Sequence, residues 1–231
     1  MPLIPAPGGP SGNQVKKAGS QVRKALRTEV GDPAAFIDAI HTIQRHRGTF
    51  RGPLVTANNG LRSMANTLGL DGKVSQRLKR MVTILNKLGR EPTLALDRMQ
   101  DIGGCRVVLK TRADVYRLAE RLQSLRPTLR VNDYIQEPRQ SGYRGVHVIV
   151  EYGRCPRPIE VQLRTEPMHL WATLVEDISG NSGINYKMDG ATPMQTFLEC
   201  YARVLECVDL QRSPARSLLD EYATLLDRAF G

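Results

Sequence analysis

Residues 145–164 read GVHVIVEYGRCPRPIEVQLR, and this stretch decides the fold. Its first eight residues are rich in valine and isoleucine, and its last eight alternate apolar with polar side chains. Both patterns are typical of β-strands, and the short interval between them suits a hairpin-type link. Two further β-like runs come earlier, CRVVLK (105–110) and LRVNDYIQ (129–136), with a helical pattern over 111–125 between them. The sequence therefore predicts an α/β (α+β) fold with a mixed sheet and flanking helices.

Helices are predicted before and after this sheet. Asp32 and Pro33 have the form of an N-cap and a first helical residue, and the helix that they begin is expected to run to about Arg45. A second helix is expected over about 53–68, ending at Gly69. Further helical patterns occupy the tail, at 166–178, 194–210 and 214–229.

The composition is that of one globular domain with additional helices. The 231 residues are 41% hydrophobic and 24% charged, which is enough apolar material for one core. We expect a flexible basic leader (1–30), one domain (31–190) and C-terminal helices that pack on this domain or extend it (191–231). The net charge of +10 predicts a polyanionic partner such as a nucleic acid or a nucleotide.

The sequence favours a cytoplasmic protein with no membrane partner. It contains no run of about 18 apolar residues, the length that a membrane helix needs. Its N-terminus lacks the charged and then apolar order of a signal peptide. Because the four cysteines form no C-x-x-C pair, reduced thiols are expected in place of zinc ligation or disulfides; they are Cys105, Cys155, Cys200 and Cys207.

Two acidic residues lie at or near predicted strands. Asp101 precedes one strand in DIGGCRVV, and Glu160 lies within another in PIEVQLRT. Acids on two neighbouring strands can converge on a Mg²⁺ site, because Mg²⁺ takes one or two carboxylates plus substrate oxygens. The alternative is two unrelated surface acids. Alternation also places Gln162 and Arg164 on the same face as Glu160, which indicates either a polar site or a solvated face.

A set of basic residues comes earlier, in VSQRLKRMVTILNKLGR (74–90). If 75–80 is extended, Arg77 and Lys79 point the same way, and Lys87 follows on a predicted helix. Such a set can hold a triphosphate, although a solvated basic face has the same pattern. The sequence has no G-x-x-x-x-G-K-[ST] and therefore no P-loop.

A third group lies in the predicted loop NDYIQEPRQSGYRGVH (132–147), which contains glycines and a proline. A tyrosine in a basic loop can stack on a base while an arginine holds phosphate. The alternative is a core tyrosine and a core histidine at a hairpin. The residues concerned are Tyr134, Arg139, Tyr143, Arg144 and His147.

Taken in order, these blocks resemble the RelA/SpoT-type alarmone synthetase domain. The first matches R-x-K-x-x-x-[S/T]-I-x-x-K at 77–87, and the second matches D-I-x-G-x-R-V at 101–107. The third matches D-Y-I-x-x-P-[K/R]-x-x-G-Y-R-x-x-H at 133–147, and the fourth matches E-[I/V]-Q-[I/L]-R-T-x-x-M-H-x-W-A at 160–172. Any single block is weak evidence, whereas four in order are strong.

The resemblance implies a nucleotidyltransferase-like sheet of about five strands and an ATP pyrophosphotransferase. Such an enzyme moves the β,γ-diphosphate of ATP to a 3′-hydroxyl and releases AMP. Asp101 and Glu160 are then the catalytic residues that hold Mg²⁺, and Glu160 also draws the proton from the attacking hydroxyl. The implied ATP-binding residues are Arg77, Lys79, Thr83, Lys87 and Arg106. The implied acceptor-binding residues are Arg139, Tyr143, which stacks the acceptor base, Arg144, His147, Gln162 and Arg164.

Some positions depart from the guanosine-specific pattern. Asn132 stands where lysine is usual, Gly145 where serine is usual, and Thr83 where serine is usual. In this resemblance the side of Asn132 looks toward the acceptor phosphates, so the missing lysine weakens the case for a free GDP or GTP acceptor. The leader, the C-R-V-V strand and the R-G-x-H variant look more like the toxic small alarmone synthetases of toxin–antitoxin systems. That likeness implies a translation-blocking toxin with two partners, an antitoxin protein and the 3′-CCA end of tRNA. The leader residues expected to grip the tRNA are Lys16, Lys17, Arg23, Lys24 and Arg27.

Two alternatives stay open from the sequence. One is a small alarmone synthetase that acts on GDP or GTP, or on adenosine nucleotides. The other is a basic RNA-binding module that has lost catalysis. The presence of both acids and of the ATP-side bases disfavours the second, because RNA binding alone needs no Mg²⁺ carboxylates.

Overall fold

The structure is a computed structural model that describes residues 8–27, 32–182 and 192–230. Its strands are β1 (Lys73–Leu78), β2 (Gly103–Leu109), β3 (Thr128–Asp133), β4 (Val146–Tyr152) and β5 (Arg157–Thr165). The helices of the described ranges are α1 (Gly12–Ala25), α2 (Pro33–Gly48), α3 (Arg51–Thr67), α4 (Met81–Arg90), α5 (Arg112–Leu125), α6 (Glu166–Ser182), α7 (Pro193–Asp209) and α8 (Arg216–Phe230), with a 3-10 turn at Leu96–Arg98. No helix within the described ranges has the length and apolar character to cross a membrane.

The five strands form one mixed sheet in the order β1-β2-β5-β4-β3. β2 and β5 pair in parallel, and the other neighbouring strands pair antiparallel. The predicted fold class, with about five strands, is confirmed. The parallel pair sets Gly104 beside Glu160. Asp101, two residues before β2, is thereby brought to the part of β5 that carries Glu160.

The two edge strands differ from the sequence predictions. β1 was predicted only conditionally. Its side chains are mostly exposed and polar, so its sequence shows no clear alternation of apolar and polar residues. β3 was predicted to extend through residue 136, but it ends at Asp133. The Asp133 carboxylate accepts hydrogen bonds from the backbone N–H groups of Ile135 and Gln136, at 2.9 and 3.0 Å. This Asx-type turn replaces the last predicted strand residues.

The central strand β5 separates the core from the polar face. Ile159, Val161 and Leu163 are fully buried in the main core, on the side where α3 and α5 pack against the sheet. The intervening Glu160 and Gln162 lie on the opposite face and line a cleft. The predicted alternation along β5 therefore holds, and its polar face belongs to a site.

The segment predicted as a flexible leader contains an ordered helix, α1. Ser11 and Gln14 form a reciprocal capping box at its start. The helix then buries Val15, Ala18 and Val22, whose i, i+3, i+7 spacing forms one apolar stripe. This stripe packs on α2, α4 and the 3-10 turn, so residues 12–25 belong to the domain. The rest of the predicted leader, 1–7 and 28–30, lies outside the described residues.

The C-terminal helices pack on the domain. Trp171 of α6 is buried, and its indole N–H donates to the Leu198 carbonyl of α7 at 2.8 Å. α7 contacts α6, and α8 packs against α7. α6 continues to Ser182, beyond the predicted end at 178, because Gly180 stays helical. Residues 183–191, which hold the rest of the predicted break, lie outside the described residues.

Gly142 fixes the contact between the loop before β4 and α7. Its φ is +90°, and an added Cβ would lie 2.5 Å from the Ala202 Cβ. We expect Gly142→Ala to lower the free energy of unfolding by about 2 kcal/mol or more, because both backbone strain and overlap oppose it. Urea unfolding measures this. Gly48→Ala is the matched control, since nothing lies within 4 Å of an added Cβ there; equal stabilities of the two variants would contradict the assignment.

Candidate active site

A cleft of ≈ 550 Å³ lies over the polar face of the sheet. Eight lysine and arginine side chains line it against four aspartates and glutamates, so its charge suits a polyanionic ligand. A slot of ≈ 190 Å³, lined by β1 and β2, adjoins it. The cleft and the slot share one wall, which contains Arg77, Asp101, Glu160, Gln162 and Glu176.

Asp101 is held by two lysines from different elements. Lys79 follows β1, where its backbone N–H donates to the Ile102 carbonyl at 2.8 Å, and Lys87 lies in the last turn of α4. Both ammonium groups contact the same carboxylate oxygen, Asp101 Oδ2, at 2.9 Å. Burial raises the pKa of Asp101, but the two lysines outweigh it, so the pKa lies below its ordinary value. Asp101 is therefore ionised at neutral pH.

Glu160 accepts hydrogen bonds on both of its oxygens. His147 Nδ1 lies 3.0 Å from Oε1, and Gln162 Nε2 donates to Oε2 at 2.8 Å. Burial raises the pKa of Glu160, whereas the His147 and Gln162 contacts lower it, and the balance brings it from 4.5 to about 2. Both predicted catalytic acids thus stand ionised in one cleft wall.

These two carboxylates fit a Mg²⁺ ion that also binds substrate oxygens. Asp101 Oδ1 is buried and has no hydrogen-bond partner, as a carboxylate oxygen reserved for a cation would be. Within the described ranges no group of three or more His, Cys, Asp and Glu could hold a metal by itself. A two-carboxylate set suits Mg²⁺, which keeps waters and takes phosphate oxygens as its remaining ligands.

Four of the five predicted ATP-binding residues line the slot or the cleft. Arg77 and Arg106 both line the slot, and Arg106 Nη2 lies 3.5 Å from Glu176. Lys79 and Lys87 line the adjoining cleft. Thr83 is exposed in the first turn of α4, one turn before Lys87, and is not among the residues that line the cleft.

The predicted stacking residue, Tyr143, is buried and only 4% exposed. Its hydroxyl contacts His147 Nε2 and accepts hydrogen bonds from Arg164. Edge contacts with Tyr134 and Trp171 cover its ring, at 5.6 and 6.0 Å between centroids. The structure brings Tyr143, His147, Gln162 and Arg164 together as predicted, but as a buried network beside Glu160.

Tyr134 and Arg139 form a ring-and-cation pair in the cleft wall. The Arg139 guanidinium lies 4.5 Å above the Tyr134 ring and donates to its hydroxyl at 2.8 Å. Arg139 was a predicted acceptor residue, whereas Tyr134 was noted only as a ring-bearing loop residue. Arg130 was missed altogether. It lies on an exposed edge strand, where no apolar alternation indicates which face is functional. The signal that could have identified it is its position two residues from Asn132, and therefore on the same strand face.

Arg144, predicted to bind the acceptor, lies outside the cleft, and this prediction is corrected. Its Nη2 pairs with Glu206 of α7 at 2.6 Å, and Glu206 also contacts Arg112 at 3.4 Å. The positive φ angles of Gly142 and Gly145 turn the backbone sharply on both sides of Tyr143 and Arg144. Consequently Arg144 faces α7 while Tyr143 faces the site.

The predicted RNA-gripping residues lie on α1 and just after it. Lys16, Lys17, Lys24 and Arg27 are exposed and do not line the cleft. Arg23 is partly buried, and its guanidinium donates to the carbonyl of Leu94, a residue of the cleft wall. α1 therefore lies behind one wall of the cleft.

Comparison with known proteins agrees with the four sequence blocks. The family model described as "Region found in RelA / SpoT proteins" matches residues 76–190. GTP pyrophosphokinase YjbM of Bacillus subtilis is 33% identical over 159 residues, which are 64% of this chain and 68% of YjbM. GTP pyrophosphokinase YwaC of the same organism is 32% identical over 137 residues, 52% of this chain and 60% of YwaC.

Solved structures agree in fold. The small alarmone synthetase 1 of B. subtilis, bound to its product pppGpp, superposes with a TM-score of 0.62 at 23% identity, covering 70% of this chain and 90% of that one. A GTP pyrophosphokinase family protein from Streptococcus pneumoniae gives 0.61 at 25% identity, with coverages of 77% and 95%. The motifs, the paired carboxylates, the sheet and these relatives together show that the chain belongs to the RelA/SpoT family of diphosphotransferases.

Proposed function

We propose that this protein transfers the β,γ-diphosphate of ATP to the 3′-hydroxyl of GDP or GTP, making (p)ppGpp. The observation that carries the proposal is the position of Asp101 and Glu160 in the wall shared by the slot and the cleft. A group-transfer enzyme needs two substrate sites that meet at its reacting centre. The two cavities supply such sites, one for the donor and one for the acceptor.

The slot suits the adenine end of ATP. Arg77 and Arg106 approach it from the paired strands β1 and β2, and planar guanidinium groups stack well on aromatic rings. From there the triphosphate would run toward Lys79 and Lys87, whose ammonium groups now rest on Asp101. In this arrangement the arginines bind the adenine base and the lysines bind the triphosphate.

The acceptor would lie in the cleft, with its 3′-hydroxyl against Glu160. This carboxylate orients the hydroxyl and accepts its proton as the O3′–Pβ bond forms. The bond from Pβ to the bridging oxygen of the α-phosphate breaks, and AMP leaves with the electron pair. Asp101 and Glu160 would hold Mg²⁺, which when bound supplies charge neutralisation to the phosphates. Positioning and electrostatics supply most of the catalysis.

Guanosine nucleotides are favoured as acceptors for two reasons. Two relatives, YjbM and YwaC, which match 64% and 52% of this chain, carry the name GTP pyrophosphokinase. In addition, the cation absent at Asn132 has a substitute, because Arg130 lines the same cleft and its Nε donates to Asn132 Oδ1 at 3.0 Å. The departure at position 132 therefore does not leave the acceptor side without a positive charge.

The second candidate acceptor is the 3′-CCA end of tRNA. It is favoured by the exposed basic side chains of α1. This helix lies beside the cleft, because Arg23 donates a hydrogen bond to the Leu94 carbonyl in the cleft wall. A duplex whose end entered the cleft could then meet Lys16 and Lys17, and phosphate contacts of this kind add salt-dependent affinity. Only this second candidate function implies an antitoxin protein as a partner.

One reaction separates the candidates. Purified protein is incubated with γ-³²P-ATP, Mg²⁺, GDP and deacylated tRNA, and the RNA and nucleotides are resolved separately. We expect label on the guanosine nucleotide and unchanged yield in Lys16→Glu/Lys17→Glu. Label on tRNA that disappears when the 3′-terminal adenosine is removed, and falls in the same double variant, would establish the second candidate. Label on neither acceptor would contradict both.

A further inference from the structure

Five side chains form a closed ring of hydrogen bonds behind the reacting carboxylate. Arg164 donates to the Tyr143 hydroxyl, at 2.8 Å from Nη2 and 3.1 Å from Nε, and Nη2 also donates to Gln162 Oε1 at 2.9 Å. Tyr143 continues to His147, and His147 and Gln162 each reach one oxygen of Glu160. This set is called the Arg164 ring. It has two arms that connect the Arg164 guanidinium to the Glu160 carboxylate. One arm runs through Tyr143 and His147, and the other runs through Gln162.

With a neutral His147, one set of donors and acceptors satisfies every hydrogen bond of the ring. Arg164 can only donate, and an ionised Glu160 can only accept. The Tyr143 oxygen accepts from Arg164, so its own hydrogen is directed to His147 Nε2. His147 therefore carries its proton on Nδ1, which donates to Glu160. Gln162 likewise presents its oxygen to Arg164 and its amide nitrogen to Glu160, and no member is left facing a like group.

Arg164 is buried in an unusual way for an arginine. It is 1% exposed, and within the described ranges it has no ion-pair partner. Burying an unpaired guanidinium opposes folding, so packing alone does not account for it. Lysine would supply the same charge from a single nitrogen, whereas the planar fork of arginine donates from Nε and Nη2 in fixed directions to Tyr143 and Gln162.

We propose that Arg164 and Tyr143 are positioning residues that hold Glu160 through the two arms of the ring. The proposal rests on the diphosphate transfer inferred above. Tyr143 acts through its hydroxyl, which fixes the ring orientation and tautomer of His147. With both oxygens held, Glu160 can move little when the acceptor hydroxyl arrives, and small displacements of a reacting group lower rates strongly.

The test is Tyr143→Phe, which removes the hydroxyl and keeps the aromatic side chain. We expect kcat to fall about 10- to 100-fold while KM for ATP and for GDP stays within about 2-fold. Tyr152→Phe is the matched control, because Tyr152 is a buried tyrosine of the same sheet and lies outside the ring. Its kcat should stay at the wild-type value. Arg164→Lys should lower kcat more than Tyr143→Phe, since it affects both arms.

A double-mutant cycle tests whether Tyr143 acts through His147. His147→Asn keeps a donor near the Nδ1 position but removes the nitrogen that Tyr143 contacts. Adding Tyr143→Phe to this variant should change kcat by less than about 2-fold, because the arm is already interrupted. An unchanged kcat in Tyr143→Phe alone would overturn the proposal, since a stacking role survives in phenylalanine. A raised KM for GDP with normal kcat would also overturn it.

A spectroscopic measurement keeps the proposal independent of turnover. Imidazole ¹⁵N spectra should show one of the four histidines with a proton on Nδ1 and an accepting Nε2, assigned as His147 by its loss in His147→Asn. The Nε2 resonance should shift in Tyr143→Phe and remain in place in Tyr152→Phe. No shift would overturn the ring. A wild-type protein that shows the signature but transfers no diphosphate would instead contradict the proposed function alone.

Discussion

Asp101→Asn is expected to lower diphosphate transfer by about 1000-fold. The carboxylate combines a buried, unpartnered oxygen with a second oxygen that two lysines contact. An amide of the same shape cannot neutralise Lys79 and Lys87, and it is a poor ligand for a hard cation. Single-turnover transfer with labelled ATP measures the loss, and far-ultraviolet circular dichroism checks the fold.

The same substitution should act in the opposite direction on ATP binding without metal. Lys79 and Lys87 both rest on Asp101, and its loss leaves their charges available to phosphate. We therefore expect metal-free ATP to bind at least as tightly to Asp101→Asn as to wild type, by calorimetry. Asp71→Asn, which removes an exposed carboxylate paired with Lys110, should change neither quantity. Parallel loss of transfer and of metal-free ATP binding would assign Asp101 a structural role instead.

The sequence predicted the sheet and the position of Glu160 on its polar face because the signal for both is local. Alternation along β5 is visible in Ile159, Val161 and Leu163, and it assigned Glu160 to the other face before any contact was known. The conditional extension at 75–80 likewise placed Arg77 and Lys79 together, although β1 ends at Leu78. Local periodicity reports which face a side chain takes, but it does not report what that side chain contacts.

The sequence could not predict environments that distant elements determine. Arg144 and Tyr143 are neighbours in one loop, but their surroundings differ. Arg144 forms an ion pair with Glu206 of α7, whereas Tyr143 packs in a cluster with apolar side chains of α6 and α7. No pattern within 133–147 contains this information. The leader is a different case, because the stripe of Val15, Ala18 and Val22 is present in the sequence. The basic residues around this stripe are typical of a solvated helix face and of a flexible arm alike, so charge alone does not distinguish the two.

Glu160→Gln is expected to lower kcat by about 1000-fold, with the protein still folded. Glutamine keeps the shape of glutamate but turns one oxygen into a donor. His147 Nδ1 and Gln162 Nε2 both donate to Glu160, so one of them would face a like group. Gln162 cannot resolve this by turning over, because its oxygen already accepts from Arg164. Glu166→Gln, an exposed carboxylate 3.2 Å from Lys73, is the matched control and should keep activity.

The pH dependence of stability gives a second measure of the same carboxylate. The folded-state pKa of Glu160 is about 2, below its ordinary 4.5. Its ionised form therefore stabilises the fold fully above pH 4.5, and this contribution is lost as the pH falls toward 2. Without nucleotide or metal, the urea-derived free energy of unfolding should fall more steeply with acid in wild type than in Glu160→Gln. Identical slopes would show that the His147 and Gln162 contacts do not favour the charged form, and the electrostatic account of Glu160 would then fail.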